Sequence, residues 1–346
     1  MKPVFKLFAN IIPVKGARRS ALCDLQRGRI KLIPNAMFDM ISDFNGQDID
    51  SVVAAHPESH RNHIESYFQF LLEGEWGFIT DEPDVFPDLD DAYLMPNKIT
   101  NAVMDLNKSS NYDVSDVIRQ LDDLGCLHLQ IRAYHDLSPE DVEQLLETTV
   151  TSRLRSIELL VGGGESPDTD AWSALCRNHP RIHKLVLHGA SEHRVIQTSE
   201  TSHVMGVLIT HPQRLESHEQ CGVVDRTEFT PCISTFTEAR HHNSCLHRKI
   251  SVDSQGRIRN CPSMPESFGH VEDTALSEAL EQDTFKKFWD MTKDEIEVCK
   301  DCEFRYVCTD CRAYVEKGDT SKPAKCGYDP YTATWREMNA SGFMLV

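Results

Sequence analysis

Apolar positions in the first eighty residues fall into short runs and then recur at helical spacing. "FKLFANIIPV", "SALCDL" and "GRIKLI" predict three strands. Pro34 opens "PNAMFDMISDF", whose apolar residues repeat at helical spacing, with Pro tolerated in a first turn. "DIDSVVAAH" predicts a second, short helix. "HRNHIESYFQFLLEGE" predicts a third, with Ile64, Phe68, Leu71 and Leu72 along one face, and "GFIT" closes as a strand. This order predicts a small winged-helix-like unit over residues 1–85.

"DEPDVFPDLDD" follows, with six acidic residues and two prolines in eleven positions, the composition of a solvated, stiffened linker. From 97 to 230 strand-like runs recur: "ITNAVMDL", "CLHLQIRA", "SIELLV", "KLVLHG" and "VMGVLIT". Helical segments separate them. One of these, "LSPEDVEQLLE", starts with Ser138 as N-cap, Pro139 in the first turn and two acids favouring the helix dipole. Strands alternating with helices predict a parallel sheet. Five strands are too few to close an eight-stranded barrel, so an open or partial βα barrel is expected. "GGGES" after the third of these strands lacks the glycine patterns of nucleotide loops and reads as a sharp turn. Beyond 230, "CLHRKISVDSQGRIRNCPSM" predicts a hairpin turning at "DSQG", and "FGHVEDTALSEALEQDTFKKFWDM" one amphipathic helix.

Charge and composition exclude some functions. The formal net charge of −18 argues against a nucleic-acid backbone as partner, as do the acids of "ESYFQFLLEGE" in the third helix. At 346 residues the chain suggests two or three domains, and no apolar run is long enough to span a bilayer. At the N-terminus Lys6 interrupts the apolar run and Arg18–Arg19 follows it, a poor signal peptide. The expected location is the cytoplasm, where twelve cysteines are unlikely disulfide partners. Cys23, Cys126 and Cys176 are expected to be small buried hydrophobes.

The remaining nine cysteines begin at Cys221. "VCKDCEFRYVCTDC" alone holds Cys299, Cys302, Cys308 and Cys311. Cys-x2-Cys pairs suit both zinc and iron–sulfur clusters, because one tight turn aims two sulfurs at one site. The wider order discriminates further. Cys245 is followed by ten residues, Gly256, four residues and Cys261. After a gap come Cys299-x2-Cys302-x5-Cys308-x2-Cys311, a second gap and Cys326.

Seven cysteines in this order, with "GRIRNC" as a Gly-x4-Cys element, resemble the SPASM domain, the auxiliary-cluster module of many radical SAM peptide-modifying enzymes. One spacing departs, since the family commonly has three residues where this chain has two between Cys308 and Cys311. The resemblance implies two 4Fe-4S clusters, one on Cys299, Cys302, Cys308 and Cys326, the other on Cys245, Cys261 and Cys311. The fourth place in the second set falls to Cys232 or stays open. Zinc is the alternative metal. "NSCLHRKIS", "IRNCPSMPESFG", "CEFRYVCTDCRAY" and "CGYDPYTATW" together are similar to the SPASM-domain maturases encoded beside ATP-grasp ligases in ribosomal peptide (RiPP) systems. That resemblance implies a leader-peptide recognition element at residues 1–85, a radical-SAM-like partial barrel at 97–230 and a SPASM iron–sulfur domain at 231–346.

Radical SAM chemistry needs a further cluster on Cys-x3-Cys-x2-Cys after the first barrel strand. "NKSSNYDVSDVIRQL" stands there without a cysteine, and the motif occurs nowhere in the chain. The expectation is a degenerate core without radical chemistry, in a protein that binds a precursor peptide and works with an ATP-grasp ligase. Two alternatives remain: an enzyme acting through an open auxiliary cluster, and a zinc-stabilised peptide-binding scaffold. No residue carries a general acid or base motif.

Overall fold

The structure, a computed structural model, describes residues 2–198 and 206–336. The N-terminal run "FKLFANIIPV" forms two strands rather than one. β1 (Val4–Leu7) and β2 (Ile11–Val14) are separated by a turn in which the Ile11 amide donates to the Phe8 carbonyl at 2.9 Å. β3 (Ser20–Asp24) and β4 (Arg29–Ile33) complete an antiparallel sheet in the order β2–β3–β4. Helices α1 (Asn35–Phe44), α2 (Ile49–Ala55) and α3 (Glu58–Glu73) follow. β5 (Gly77–Thr80) then pairs antiparallel with β1. Pro34 sits at the N-cap of α1, one position earlier than the first turn.

All five residues of β3 are buried because both its faces are covered. Leu22 packs with Ile11, Ile33, Met37, Phe68 and Leu71 beneath the helices. Ala21 and Cys23 point the other way, into a core shared with Phe236, Phe304, Val307, Cys308 and Tyr328. Alternation along a strand thus sends neighbouring residues into two different cores.

The linker is docked, not free. Asp91 lies 3.1 Å from Arg240, and its carbonyl is 3.0 Å from the His241 ring.

The centre is an eight-stranded sheet. β6 (Asn101–Leu106), β7 (His128–Asp136), β8 (Ser156–Gly162) and β9 (Ile182–His188) run parallel, with α4 (Val114–Asp123), α5 (Pro139–Leu146) and α6 (Thr169–Asn178) between them. The expected capping of α5 is observed: Ser138 and Asp141 cap each other reciprocally. β10 (Arg194–Gln197) is antiparallel to β11 (Val207–His211), which pairs parallel with β9. Val204 and Met205 of the expected last strand lie outside the described residues. "GGGES" is a turn at the end of β8, with Gly164 at φ +72°.

After α7 (Ile233–His241) the cysteine-rich region joins this sheet. β12 (Lys249–Val252) pairs parallel with β6, and β13 (Ile258–Arg259) closes the hairpin. The predicted "DSQG" turn is present. The Asp253 carboxylate accepts from the amides of Gln255 and Arg257, and Gly256 adopts φ +76°. The sheet order is β10–β11–β9–β8–β7–β6–β12–β13.

The single long helix expected from Phe268 to Met291 does not form; only α8 (Leu276–Leu280) is helical. Phe268 and Phe285 meet edge to face at 4.7 Å in the sheet's core. A straight helix would separate them by about 25 Å at its rise per residue. Burying both rings requires the chain to turn back, and the Gln282 side chain donates to the Phe268 carbonyl to close that turn. Among the described residues, no helix is long and apolar enough to cross a membrane.

Candidate functional site

Two cavities in the cysteine-rich region are each lined by four thiols. Cys221, Cys245, Cys261 and Cys311 line the first, a space of about 290 Å³. Cys299, Cys302, Cys308 and Cys326 line the second, a narrow slot of about 30 Å³. Cys308-x2-Cys311 divides between them. Cys308 faces the second cavity and Cys311 the first, and Asp310 is buried between the two.

Local structure fixes each thiol. The first cavity receives Cys245 from the loop after α7, where the Asn243 side chain accepts from the Cys245 and Leu246 amides. The same Asn243 donates to Asp310 at 2.7 Å, and the Ser244 hydroxyl donates to the Cys308 carbonyl at 3.0 Å. Loop 243–245 is thereby tied to the central cysteine run. Cys261 follows β13. Cys221 sits in a segment held by three side chains: Tyr314 and Ser263 hydroxyls donate to the His218 carbonyl, and Lys325 donates to the Cys221 carbonyl at 2.8 Å. Gly222, at φ +86°, leaves no room for a side chain; a Cβ would lie 2.8 Å from the Cys311 sulfur. In the second cavity Cys299 starts a short 3-10 turn, and Val298 before it is held at φ +68°. A β-branched residue at positive φ is strained. Cys326 is bridged to Val224, so the strand of chain from Cys221 to Val224 runs from one cavity to the other.

The walls differ. Val103, Gln130, Arg132, Glu158 and Leu160 from the sheet close the first cavity. Arg132 is paired bidentately with buried Asp105 at 2.7 and 2.8 Å, and Tyr134 donates to the same carboxylate. Gln130 donates to Glu158, which also lies 3.4 Å from Lys184. The second cavity is walled by Val224, Phe229, Phe304, Tyr328 and Trp335.

Each cavity also holds one lysine. Lys249 Nζ donates to the Cys245 sulfur at 3.4 Å, and Lys293 Nζ to the Cys308 sulfur at 3.6 Å. Burial pushes the Cys308 and Cys311 thiols up to about 12 and Cys261 to about 11. Burial works against the charge of both lysines, but the facing cysteines, joined at Lys293 by Asp310, outweigh it and hold both above the ordinary value.

The sequence-predicted residues are therefore placed as follows. Cys299, Cys302, Cys308 and Cys326 come together, as do Cys245, Cys261 and Cys311. Cys232 lines neither cavity; it is the N-cap of α7, with its sulfur 3.4 and 3.2 Å from the Ser234 and Thr235 hydroxyls. Cys221 occupies the place in the first cavity that sequence reasoning left open. Its only local signal is the glycine that follows it. Cys23, Cys126 and Cys176 are buried, as expected.

The donor chemistry fits iron–sulfur clusters, which take thiolate ligands in fours. Among the described residues, no three His, Cys, Asp or Glu side chains converge closely enough to hold a single metal ion. At the C-terminal end of β6, a cleft of about 550 Å³ is lined by Asn107, Ser110, Tyr112, His135 and Asp136.

Crystal structures of SuiB from Streptococcus suis are similar to the chain at 10% identity. One structure of SuiB aligns over 89% of this chain and 96% of that one, with a TM-score of 0.35. SuiB bound to its precursor peptide SuiA aligns over 92% and 98%, with a TM-score of 0.32. Likeness at that level says nothing of site or activity. No curated protein matches the chain. Residues 244–303, which include Cys245, Cys261, Cys299 and Cys302, match the model of the SPASM family, an iron–sulfur cluster-binding domain.

Proposed function

We propose that this chain is a component of ribosomal peptide maturation. It binds the leader of a precursor peptide, carries two 4Fe-4S clusters and acts with an ATP-grasp ligase, without S-adenosylmethionine radical chemistry. The observation that carries the reading is the pair of four-thiol cavities, to each of which residues 244–303, the segment that matches an iron–sulfur domain family, contribute two thiols. Cys299, Cys302, Cys308 and Cys326 would hold one cluster. Cys245, Cys261, Cys311 and Cys221, in place of Cys232, would hold the other. Such clusters supply one-electron transfer, or Lewis acidity where an iron lacks a protein ligand. With Cys221 counted, both sets are complete, which favours a carrier over an enzyme acting through an open iron.

This chain's own residues supply the rest. In the division 1–85, 97–230 and 231–346, the first segment would grip the leader. β4 pairs only with β3 among the described residues and exposes Arg29 and Lys31, so an extended peptide can add there as a further strand. The end of β6 offers oxygen and nitrogen side chains and no thiol, in keeping with the missing Cys-x3-Cys-x2-Cys. The buried Arg132–Asp105–Tyr134 group fixes the polar wall opposite the first thiol set.

Iron, acid-labile sulfide and zinc on protein purified without oxygen test the reading. About eight irons and eight sulfides per chain are expected for two four-iron clusters. Zinc without sulfide would overturn it in favour of a metal-stabilised scaffold.

A further inference from the structure

Each thiol set has one lysine at hydrogen-bond distance from a sulfur, and the two lysines differ in their remaining partners. Lys249 opens β12, fixed in register beside Asn101 of β6, and lies on the wall of the first cavity. Its amine donates to Cys245 at 3.4 Å, and Cys261 and Cys221 line the same cavity. Among the described residues no carboxylate forms an ion pair with it. Lys293 is buried, its side chain 4% exposed. It donates to Cys308 at 3.6 Å and to the Thr309 carbonyl at 3.2 Å, and lies 3.7 Å from Asp310. Asp310 also binds Arg312 at 2.7 Å and accepts from Asn243.

Reduction of an iron–sulfur cluster adds one negative charge. A fixed cation beside a ligand sulfur stabilises the reduced form and raises the potential, as do hydrogen bonds to the sulfurs. A carboxylate beside that cation cancels part of the effect.

We infer that Lys249 and Lys293 are positioning residues that raise the reduction potentials of the centres in their respective cavities, and that Lys249, which has no ion-paired carboxylate among the described residues, does so more strongly. This rests on the two-cluster reading above. The geometry is specific to each cavity, so the two lysines act on different redox steps.

The test is a dye-mediated redox titration, followed by electron paramagnetic resonance, of the anaerobically purified full chain and its variants. Lys249→Met should keep wild-type iron and sulfide. It should lower one potential by at least tenfold in the reduction equilibrium constant, about 59 mV for a one-electron couple, and leave the other within twofold. Lys293→Met should lower the other potential, by less. Lys249→Arg, which keeps the charge, should stay within threefold of wild type. Intact clusters with unmoved potentials in both Met variants would overturn the inference, as would both potentials moving together. If a Met variant loses iron, the Gln variant at that position is titrated in its place. Loss of iron in every uncharged variant, with retention in Arg, would make the lysine an assembly residue and also overturn it. Wild-type protein without sulfide would instead remove the two-cluster reading itself.

Discussion

The two thiol sets share one loop region and one cysteine run, yet they are built into opposite settings. The first opens onto a mixed face of the large sheet, with Gln130, Arg132 and Glu158 beside Val103 and Leu160 across from the sulfurs, and Cys221 is exposed. The second is a narrow apolar slot whose thiols pack with residues of a different part of the chain. Val14, Ala21 and Cys23 from β2 and β3 share a core with Phe304, Val307 and Cys308. The Ala17 amide donates to the Asp301 carbonyl at 2.7 Å, and Arg19 binds fully buried Glu303 at the same distance. The difference teaches that identical thiols sit in unequal settings. In the proposed reading the second set staples the N-terminal sheet to the rest, and the first is a centre placed where other groups can reach it.

The largest effect should come from breaking the staple. In small metallo-domains, metal binding of about 10 kcal/mol is also folding free energy. Cys308→Ser should therefore lose the second cavity's iron and expose the amides of residues 11–33 in hydrogen exchange. Cys261→Ser should lose the first cavity's iron and leave those amides protected. Equal deprotection in both variants would abolish the contrast.

Next in size is the ion pair across the same junction. Removing one partner of a buried pair costs about 3–5 kcal/mol. Arg19 is partly exposed (29%), so Arg19→Met belongs at the lower end, about 3 kcal/mol by urea denaturation. Its variant leaves Glu303 buried with, among the described residues, the Tyr328 hydroxyl alone donating to it. A loss below about 1 kcal/mol, the range of surface pairs, would mean that the N-terminal sheet is not held through this contact.

Cysteine identity sharpens the comparison further. Cys221→Ser should cost the first cavity its iron while the second keeps its own. Cys232→Ser should leave iron unchanged and alter stability by about 0.5 kcal/mol or less, as for substitutions away from a site. Elemental analysis of the two purified variants decides. Iron loss on Cys232→Ser would restore the ligand that sequence reasoning nominated.

Cys232 lies at the start of α7 and lines neither cavity. The family resemblance sorted seven cysteines into the two groups that line the two cavities; spacing alone would have kept Cys308 and Cys311 together, and the fold separates them. Cys221 lies forty residues upstream of Cys261 and reaches the cavity only through side chains from distant segments, such as Lys325 and Tyr314. Nothing in "EQCGVV" announces that. The parallel strands were legible because βα alternation is written in local pattern. That β12 would extend the sheet was not, since a hairpin's sequence does not name its neighbour. The helix expected from Phe268 to Met291 failed for the same reason: its apolar period was satisfied by a chain that doubles back. The double burial of β3 was visible only as an absence of alternation, and its partner on the second face was the cysteine region.

A smaller effect than metal loss tests whether the wide and narrow cavities differ for the thiols themselves. Burial raises Cys308 and Cys311 alike, from 9.0 to about 12. For an acid neutral when protonated, a raised folded value means that the fold binds the proton more tightly than the unfolded chain does. That contribution is complete below about pH 9 and is lost as pH rises through 12. One pH unit above 9 should cost metal-free protein about 1 kcal/mol for each such thiol. Loaded protein should show no such loss, because its ligands are already thiolates. Thermal midpoints at pH 8 and pH 10 measure the slope, and Cys308→Ser and Cys311→Ser should flatten it equally. If water reaches the wider cavity and relieves Cys311, its variant will flatten the slope less. The contrast between wet and dry settings would then extend to the ligands as well as to the walls around them.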